Sequence, residues 1–583
     1  MSLSGALSNP FSPISRWALG LLWRIERDFE RARSSDKALD DVRLRIFFVL
    51  ALFSAGFVTL GAAATRAALF SDHARGGIAA APETLRRADL VDRNGQLLAV
   101  DLVRYGLYVD PHEVVRKWDA RQALLTVLPP SAGSKLDKAL TGDHQAFVYG
   151  GLTPTEMTRV HDLAVPGVTF EEESGRAYPL GSLGAHVIGF SSKDGEGLAG
   201  AEKALDQDIK AEGGKATVAL SIDLRVQGAL EDEVAQAAAR FGVRDAVGMV
   251  VNVRTGEILG LSSWPSFDAN RAGDADPKAM VDHAAATVYE PGSVMKVFTL
   301  AMGLDAGVAT PSTLFDARTP LALSGQTIHD YDKDNAVLPL WEVFTHSSNI
   351  GAARLGLLAG PERMDQYFHA FGLFAAAPGP LTESAKPLVP RALTPNAVAS
   401  MSFGHAIAVS PLAIATGMSA VLNGGTYRPL TLRKLEGAAP APGRQILKSS
   451  TSRTMLDLMR LNVTNGTGTK ADIPGLRVGG KTGTATKIVG GRYDRALNLS
   501  SFAAIFPTDG PLTADRYLVL VMLDEPHATA DTPVTTGGMT AAPTAGRVIE
   551  RIAPFLGVQR VPTAKAAPAA GGPDLSALQE DEQ

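Results

Sequence analysis

One stretch constrains this chain more than any other. From Ile46 to Thr65 it reads IFFVLALFSAGFVTLGAAAT, twenty residues without a charge, with Arg45 and Arg66 at its edges. At 1.5 Å per residue a helix of that length spans about 30 Å, the hydrocarbon thickness of a bilayer. A secretory signal peptide has a short charged lead and an apolar run of about 7–15 residues, whereas this lead is 45 residues long. The stretch therefore reads as a retained anchor, a transmembrane helix over residues 46–66, ahead of a cleaved signal or a buried core helix. Arg27, Arg31, Arg33, Lys37, Arg43 and Arg45 precede it closely, and only Arg66 and Arg75 follow within twenty residues. Positive charge stays on the cytoplasmic side, so the N-terminus is expected in the cytoplasm and the rest outside, which in a bacterium with two membranes is the periplasm. Within the lead, Ile14, Trp17, Ala18, Leu21, Leu22, Ile25 and Phe29 recur at helical spacing. They read equally as a helix lying on the inner membrane surface or as a frayed tail.

The exported part has the composition of folded domains. Of the 583 residues, 45% are apolar and 20% charged, and the net charge of −5 gives no sign of a nucleic-acid partner. There is no cysteine, which excludes disulfides, thiolate metal sites and a thiol nucleophile. From about Asp72 to Gly214 short strand-like runs alternate with turns, as in DLVDRNGQLLAVD, where Asn94-Gly95 marks a hairpin. A mixed α/β region follows from about Ala216 to Gly557. It contains a helix pattern from Leu224 that ends at Gly242 and β-rich runs at Ala246–Val253 and Arg516–Leu523. Strands from both ends of one region predict a sheet closed by its early and late parts. The tail from Val561 is rich in Ala, Pro and Gly, ends acidic, and is expected to be disordered.

Three short motifs carry the chemistry. In YEPGSVMKVFTLAMGLDAG, Pro291 and Gly292 break the chain before an apolar helix pattern. Ser293 is thus placed in a first helical turn with Lys296 one turn on, on the same face. First-turn N–H groups lack helical partners and can donate to a developing oxyanion. The lysine can serve as a base for the hydroxyl only if burial or a second cation lowers its pKa. Alone, S-x-x-K is weak, and Ser34 to Lys37 is a decoy in the lead. Ser347-Ser348-Asn349 follows the helix pattern PLWEVFTHSS, and its hydroxyl and amide can face one cleft from a turn. Lys481-Thr482-Gly483-Thr484 lies on a strand-like run among Gly479 and Gly480. An edge strand of this kind can pair with an extended peptide, and its lysine and hydroxyls can hold a terminal carboxylate.

In this order the motifs match the S-x-x-K, S-D-N and K-T-G set of class A β-lactamases and penicillin-binding proteins, with S-S-N here for S-D-N. The chain resembles a class B penicillin-binding protein, a monofunctional peptidoglycan transpeptidase, and most of all its division-specific type. The resemblance extends through RADLVDRNGQLLA, GRAYPLGSLGAHVIGF, GLAGAEKALD, LSIDLRVQ, RTGEILGLSSWPSFDANR, LDEPH and GGMTAAPTAGRV, nearly the whole chain. It implies a membrane-anchored α+β architecture. A cytoplasmic segment over 1–45 and the helix over 46–66 would lead to an elongated β-rich pedestal of dimerisation type over 67–220. A transpeptidase domain over 221–558 would follow, an antiparallel sheet flanked by helices as in serine β-lactamases, and then the tail over 559–583. It implies Ser293 as the acylated nucleophile, Lys296 as its base, Ser347 as proton relay to the leaving amine, and Asn349 as the group orienting Lys296 and the substrate amide. Lys481, Thr482, Gly483 and Thr484 would form the carboxylate-binding strand, and the N–H groups of Ser293 and Thr484 the oxyanion hole. No metal or cofactor is called for. The partners it implies are stem peptides on lipid II-derived glycan strands, β-lactams, an FtsW-type glycan polymerase and other divisome membrane proteins at the septum. His405-Ala406 departs from the family, which more often has an aromatic residue or Gln followed by Gly.

Three other readings share these motifs: an elongation-type transpeptidase of the same class, a membrane-anchored β-lactamase with a deacylating base, and a divisome scaffold with a silent site.

Overall fold

The computed structural model describes residues 87–562 apart from 214–215, 332–335, 438–441 and 491, together with 24, 27, 31, 49 and 51–60. In the N-terminal segment, residues 51–60 are helical and their Leu52, Phe53, Phe57, Val58 and Leu60 side chains are exposed. Among the described residues no helix is long and apolar enough to cross a membrane. The rest of the expected anchor, the apolar stripe of the lead and the tail beyond residue 562 lie outside the described residues.

The first part of the remaining chain is built on five strands: β1 (Asp89–Val91), β2 (Leu97–Val109), β3 (Ala146–Leu152), β4 (Val168–Ala177) and β5 (Thr217–Ala219). Strands β1 and β2 form the hairpin expected at Asn94-Gly95, with Gly95 at φ +83°, a left-handed conformation that glycine adopts without a steric penalty. Strand β2 also pairs with β3 and β4, and β1 pairs in parallel with β5. Short helices interleave these strands. One of them, Gly200–Ala204, brings Glu202 beneath the sheet. There Glu202 accepts from Arg87 at 2.6 Å and from Arg176 at 2.7 Å. Asp206 and Asp101 complete the network, at 2.6 Å from Arg87 and 3.0 Å from Arg176.

The larger part is organised by a second sheet of β6 (Asp245–Asn252), β7 (Ile258–Trp264), β8 (Gly479–Val489), β9 (Arg492–Phe506) and β10 (Tyr517–Asp524). Its order is β8-β9-β10-β6-β7, antiparallel throughout. The early strand β6 and the late strand β10 are neighbours, as their unbroken apolar runs predicted. Those runs are unbroken because both faces of the sheet are covered. Leu518, Leu520 and Met522 face one core. Val519, Val521 and Leu523 face the other, beneath helices α1 (Leu224–Phe241) and Ala541–Ile552. Helix α1 ends on Gly242 at φ +55°, a C-terminal glycine stop.

The first core holds the helices that bear the motifs: α2 (Lys296–Asp305), α3 (Leu340–Thr345) and α4 (Asn349–Ala359). Gly303 of α2 meets Leu355 of α4 where a Cβ would come within 2.7 Å of the leucine, so the glycine sets how closely the two helices approach. Strand β8 is at the edge of the sheet and leaves one side open for an added strand.

Candidate active site

The three motifs converge on one cleft. Ser293 is in a 3-10 turn, Gly292–Met295, that runs directly into α2. The turn is pressed against β8: Gly292 has φ +55°, and a Cβ there would come within 2.9 Å of the Thr484 carbonyl oxygen. Gly404 locks it from the other side, where a Cβ would meet the Gly292 carbonyl oxygen at 2.0 Å. Ser347 and Ser348 form the junction between α3 and α4. Ser347 has φ +60°, a strained conformation for a serine and one found at sites where the surroundings over-determine the backbone.

Lys296 is the hub. Its Nζ lies 3.0 Å from Ser293 Oγ, 3.1 Å from Ser347 Oγ and 2.8 Å from Asn349 Oδ1, and it also donates to the Ser347 carbonyl oxygen. Lys481 Nζ approaches from the opposite side, 2.9 Å from the same Ser347 hydroxyl and 3.2 Å from the Thr482 carbonyl oxygen. Ser347 Oγ therefore bridges the two lysines. Both lysine side chains are fully buried, and the partners named here are neutral oxygens.

Burial without a carboxylate partner disfavours an ammonium. It pushes Lys481 down to about 7. Lys296 is driven well below its ordinary value, first by burial and then by the Lys481 charge, with Asp330 acting in the opposite sense. Two ammonium groups cannot both be held cheaply in one dry cleft. The arrangement leaves a neutral amine against a serine hydroxyl and a cation beside an edge strand. That combination can take a proton from the hydroxyl and attract an anion at once.

The strand's hydroxyls are also held. Thr482 Oγ lies 2.7 Å from Thr467 Oγ. The Thr484 hydroxyl accepts from the Gly537 N–H at 3.0 Å. Gly483 is required by space, because a Cβ would meet Ser501 Oγ at 2.3 Å and the Pro291 carbonyl oxygen at 2.8 Å. Thr484 is exposed while Thr482 is buried, and as residues two apart on one strand they share a face, with Thr484 at its open end. All eight residues expected from the sequence are thus brought together. Among the described residues, no group of three or more His, Asp or Glu side chains is placed to hold a metal ion.

Other residues complete the site that spacing did not reveal. Asp330, on the loop after the short strand Gln326–Ile328, accepts from the backbone and hydroxyl of the Ser348–Ile350 turn. Beyond Thr484 a groove of about 520 Å³ continues along β8, lined by Glu290, Leu388, Pro390, Ile407, Thr486 and Lys487 among others. Glu290, close before the nucleophile, accepts from the Ala406 N–H at 2.9 Å and lies 3.2 Å from His405 Nδ1. His405 stacks edge-on with Tyr493. Ala406 has φ +59°, which explains why glycine is the common residue there. A local signal for these contacts is absent from the sequence because each joins separate segments, Asp330 to the Ser348–Ile350 turn and Glu290 to His405 and Ala406.

Residues 246–550 match the penicillin-binding protein transpeptidase domain family, and residues 82–237 match the penicillin-binding protein dimerisation domain. The chain is 54% identical over 560 residues to a probable peptidoglycan D,D-transpeptidase FtsI of Caulobacter vibrioides, covering 94% of this chain and 95% of that protein. It is 28% identical over 500 residues to the peptidoglycan D,D-transpeptidase FtsI of Escherichia coli, covering 79% and 82% of the two chains. The crystal structure of penicillin-binding protein 3 from Mycobacterium tuberculosis, complexed with aztreonam, superposes with a TM-score of 0.63 at 25% identity. It covers 82% of this chain and 97% of that one.

Proposed function

Because the chain belongs to the penicillin-binding transpeptidase family, with both its dimerisation and its transpeptidase domain, we propose that it is a peptidoglycan D,D-transpeptidase of the division-specific type, cross-linking stem peptides of the septal wall through a serine acyl-enzyme. The observation that carries this reading is the fully buried Lys296 amine 3.0 Å from Ser293 Oγ.

In the first half-reaction the donor stem peptide lies along β8 with its terminal carboxylate at Lys481, Thr482 and Thr484. Ser293 Oγ attacks the carbonyl between the two terminal D-alanines while the neutral Lys296 amine takes the hydroxyl proton. The N–H groups of Ser293 and Thr484 receive the developing oxyanion. The C–N bond breaks, and the proton passes from Lys296 through the Ser347 hydroxyl to the departing nitrogen, so D-alanine leaves as a neutral amine. Ser347 Oγ is placed for that relay, 3.1 Å from Lys296 Nζ and 2.9 Å from Lys481 Nζ. Asn349, 2.8 Å from Lys296 Nζ, orients the base and the substrate amide. In the second half-reaction the amine of a neighbouring stem peptide attacks the ester carbonyl and loses its proton to the same base, the ester C–O bond breaks, and Lys296 returns the proton to Ser293 Oγ, 3.0 Å away. A β-lactam enters the first half-reaction in place of the donor and stays on Ser293.

The domain plan belongs to the same proposal: an anchor over 46–66 with a cytoplasmic lead over 1–45, a pedestal over 67–220, the transpeptidase domain over 221–558 and a tail over 559–583. The helical residues 51–60, with exposed apolar side chains, support the anchor. With the anchor come an inner-membrane location at the septum, a periplasmic catalytic domain and an FtsW-type glycan polymerase with other divisome proteins as partners. Labelling with a fluorescent penicillin tests the reading. Wild type should form a persistent adduct and Ser293→Ala, with the same melting temperature, none. Rapid loss of the adduct by hydrolysis would favour a β-lactamase instead.

A further inference from the structure

Lys296 draws three of its four partners from one short turn: the Ser347 carbonyl, the Ser347 hydroxyl and the Asn349 amide oxygen. That turn has no intrinsic reason to hold its shape. Its first residue, Ser347, is at φ +60°, and a non-glycine residue in such a conformation costs roughly 1–3 kcal/mol. It also begins α4, whose first N–H groups have no helical acceptor.

Asp330 supplies what the turn lacks. Its Oδ1 accepts from the N–H groups of Asn349, at 2.5 Å, and Ile350, at 2.9 Å. Its Oδ2 accepts from the Ser348 hydroxyl at 2.7 Å. The Ser348 hydroxyl in turn accepts from the Gly351 N–H at 2.9 Å. Three successive N–H groups are thereby satisfied by one carboxylate and the serine it holds. The same loop reaches Asn349 again, since its Nδ2 donates to the His329 carbonyl oxygen at 3.1 Å. On the α3 side, Ser348 N donates to the Val343 carbonyl oxygen at 3.0 Å, and Gly351 admits the Val343 side chain where a Cβ would clash at 2.5 Å. The turn is clamped between α3 and Asp330, with Ser347 at its apex.

We propose that Asp330 is a positioning residue for the acylation step: its carboxylate holds the Ser347–Ser348–Asn349 turn in the one conformation that aims the Ser347 and Asn349 oxygens at Lys296. It touches neither substrate nor Ser293, and it acts through Ser348 and the backbone of Asn349 and Ile350. A carboxylate suits the task better than an amide because three donors converge on its two oxygens. The charge has a second consequence. It lies near enough to Lys296 to favour the ammonium against burial and Lys481, so Asp330 keeps the base from becoming too weak to hold a proton.

This inference rests on the acyl-enzyme reading, and one experiment separates the two. The second-order rate of Ser293 acylation by a fluorescent penicillin is measured from pH 5 to 10 for full-length wild type, Asp330→Asn and Asp330→Ala, with thermal melting in parallel. Asp330→Ala releases the turn and should lose acylation by roughly 10- to 100-fold, the scale set by about 1 Å of misplacement. Asp330→Asn keeps an acceptor for the backbone N–H groups and should recover much of that rate. Removing the charge also lowers the Lys296 pKa further, so the acid limb of the Asp330→Asn profile should move to lower pH, on the order of half a unit or more. If Asp330→Ala does not fold, the Asp330→Asn profile carries the test alone. An unshifted limb in a folded Asp330→Asn, with its rate equal to wild type, would overturn the proposal and leave Asp330 as a helix cap. A wild type that is not labelled at all would instead overturn the acyl-enzyme reading.

Discussion

The side chains of Arg87 and Arg176 in the dimerisation domain are nearly as deeply buried as those of Lys296 and Lys481 in the cleft, yet the two clusters are built by opposite rules. Each of these arginines meets two carboxylates, Glu202 and Asp206 for Arg87, Glu202 and Asp101 for Arg176. Spare guanidinium protons go to the Gly195 and Ala88 carbonyls. Charge and hydrogen-bonding capacity are both matched. The cleft lysines instead meet hydroxyls, carbonyls and an amide. A matched buried network ties strands and helix together. An unmatched pair of buried lysines, one of them held as a neutral amine, is a base and a charge kept ready for something absent, and its depressed pKa values are the physical signature of a reactive site.

The comparison is most severely tested by removing one member of each cluster. Lys296→Met should reduce the acylation rate by roughly 10²–10⁴-fold while leaving the melting temperature unchanged or higher, because a buried polar amine is replaced by an apolar side chain of similar length. A loss of stability comparable to the loss of activity would mean that Lys296 is structural. Glu202→Gln should do the reverse. It strands two buried guanidinium groups and should lower unfolding stability by about 3–5 kcal/mol. The acylation rate per folded molecule should stay the same, checked by denaturant unfolding beside penicillin titration.

Lys481→Gln is a smaller effect and separates the two lysines. Loss of a charge-assisted carboxylate contact should lower kcat/KM for a carboxylate-bearing donor by roughly 10- to 100-fold. A donor amidated at that carboxyl should lose less rate on the same substitution than the carboxylate-bearing donor does. The pH sign follows from the same residue. The Lys481 ammonium, pushed down to about 7 by burial, is lost as pH rises through that value, so KM for carboxylate-bearing donors should rise on the alkaline side. Smallest of all, Ala406→Gly should stabilise the fold by up to about 1 kcal/mol by relieving the left-handed Ala406, with acylation unchanged. A destabilised Ala406→Gly would show that the φ of +59° carries no strain.

Much of this site was legible because its chemistry is local. Ser293 and Lys296 are three residues apart and need only one helical turn to meet. Lys481 to Thr484 need only a strand, with Gly483 marking where other chain segments come too close for a side chain. The sheet was legible in part: β6 and β10 are so apolar that they had to be covered on both faces and paired somewhere central. The partners of these elements were not legible. Asp330 reaches α4 from another loop, Glu290 and Tyr493 meet His405 from separate segments, and Arg87 reaches Glu202 across 115 residues. No periodicity or short spacing encodes such contacts, because only the closed fold creates them. The departure at His405-Ala406 was visible as a residue change. Its meaning, an alanine in a left-handed position beside a Glu290–His405–Tyr493 cluster, required the backbone.

The claim on which the contrast turns is that Lys296 is an unmatched, neutral base, and the pH dependence of Ser293 acylation reads it directly. With burial and the Lys481 charge holding Lys296 well below an ordinary lysine, the second-order rate with a penicillin should be at its highest near neutral pH. On the acid side it should fall as the pH drops through the depressed value and the amine takes a proton, and on the alkaline side it should decline as Lys481, at about 7, loses its own. A rate that climbs about tenfold per pH unit from 7 toward 10, as an ordinary lysine would impose, would contradict the account.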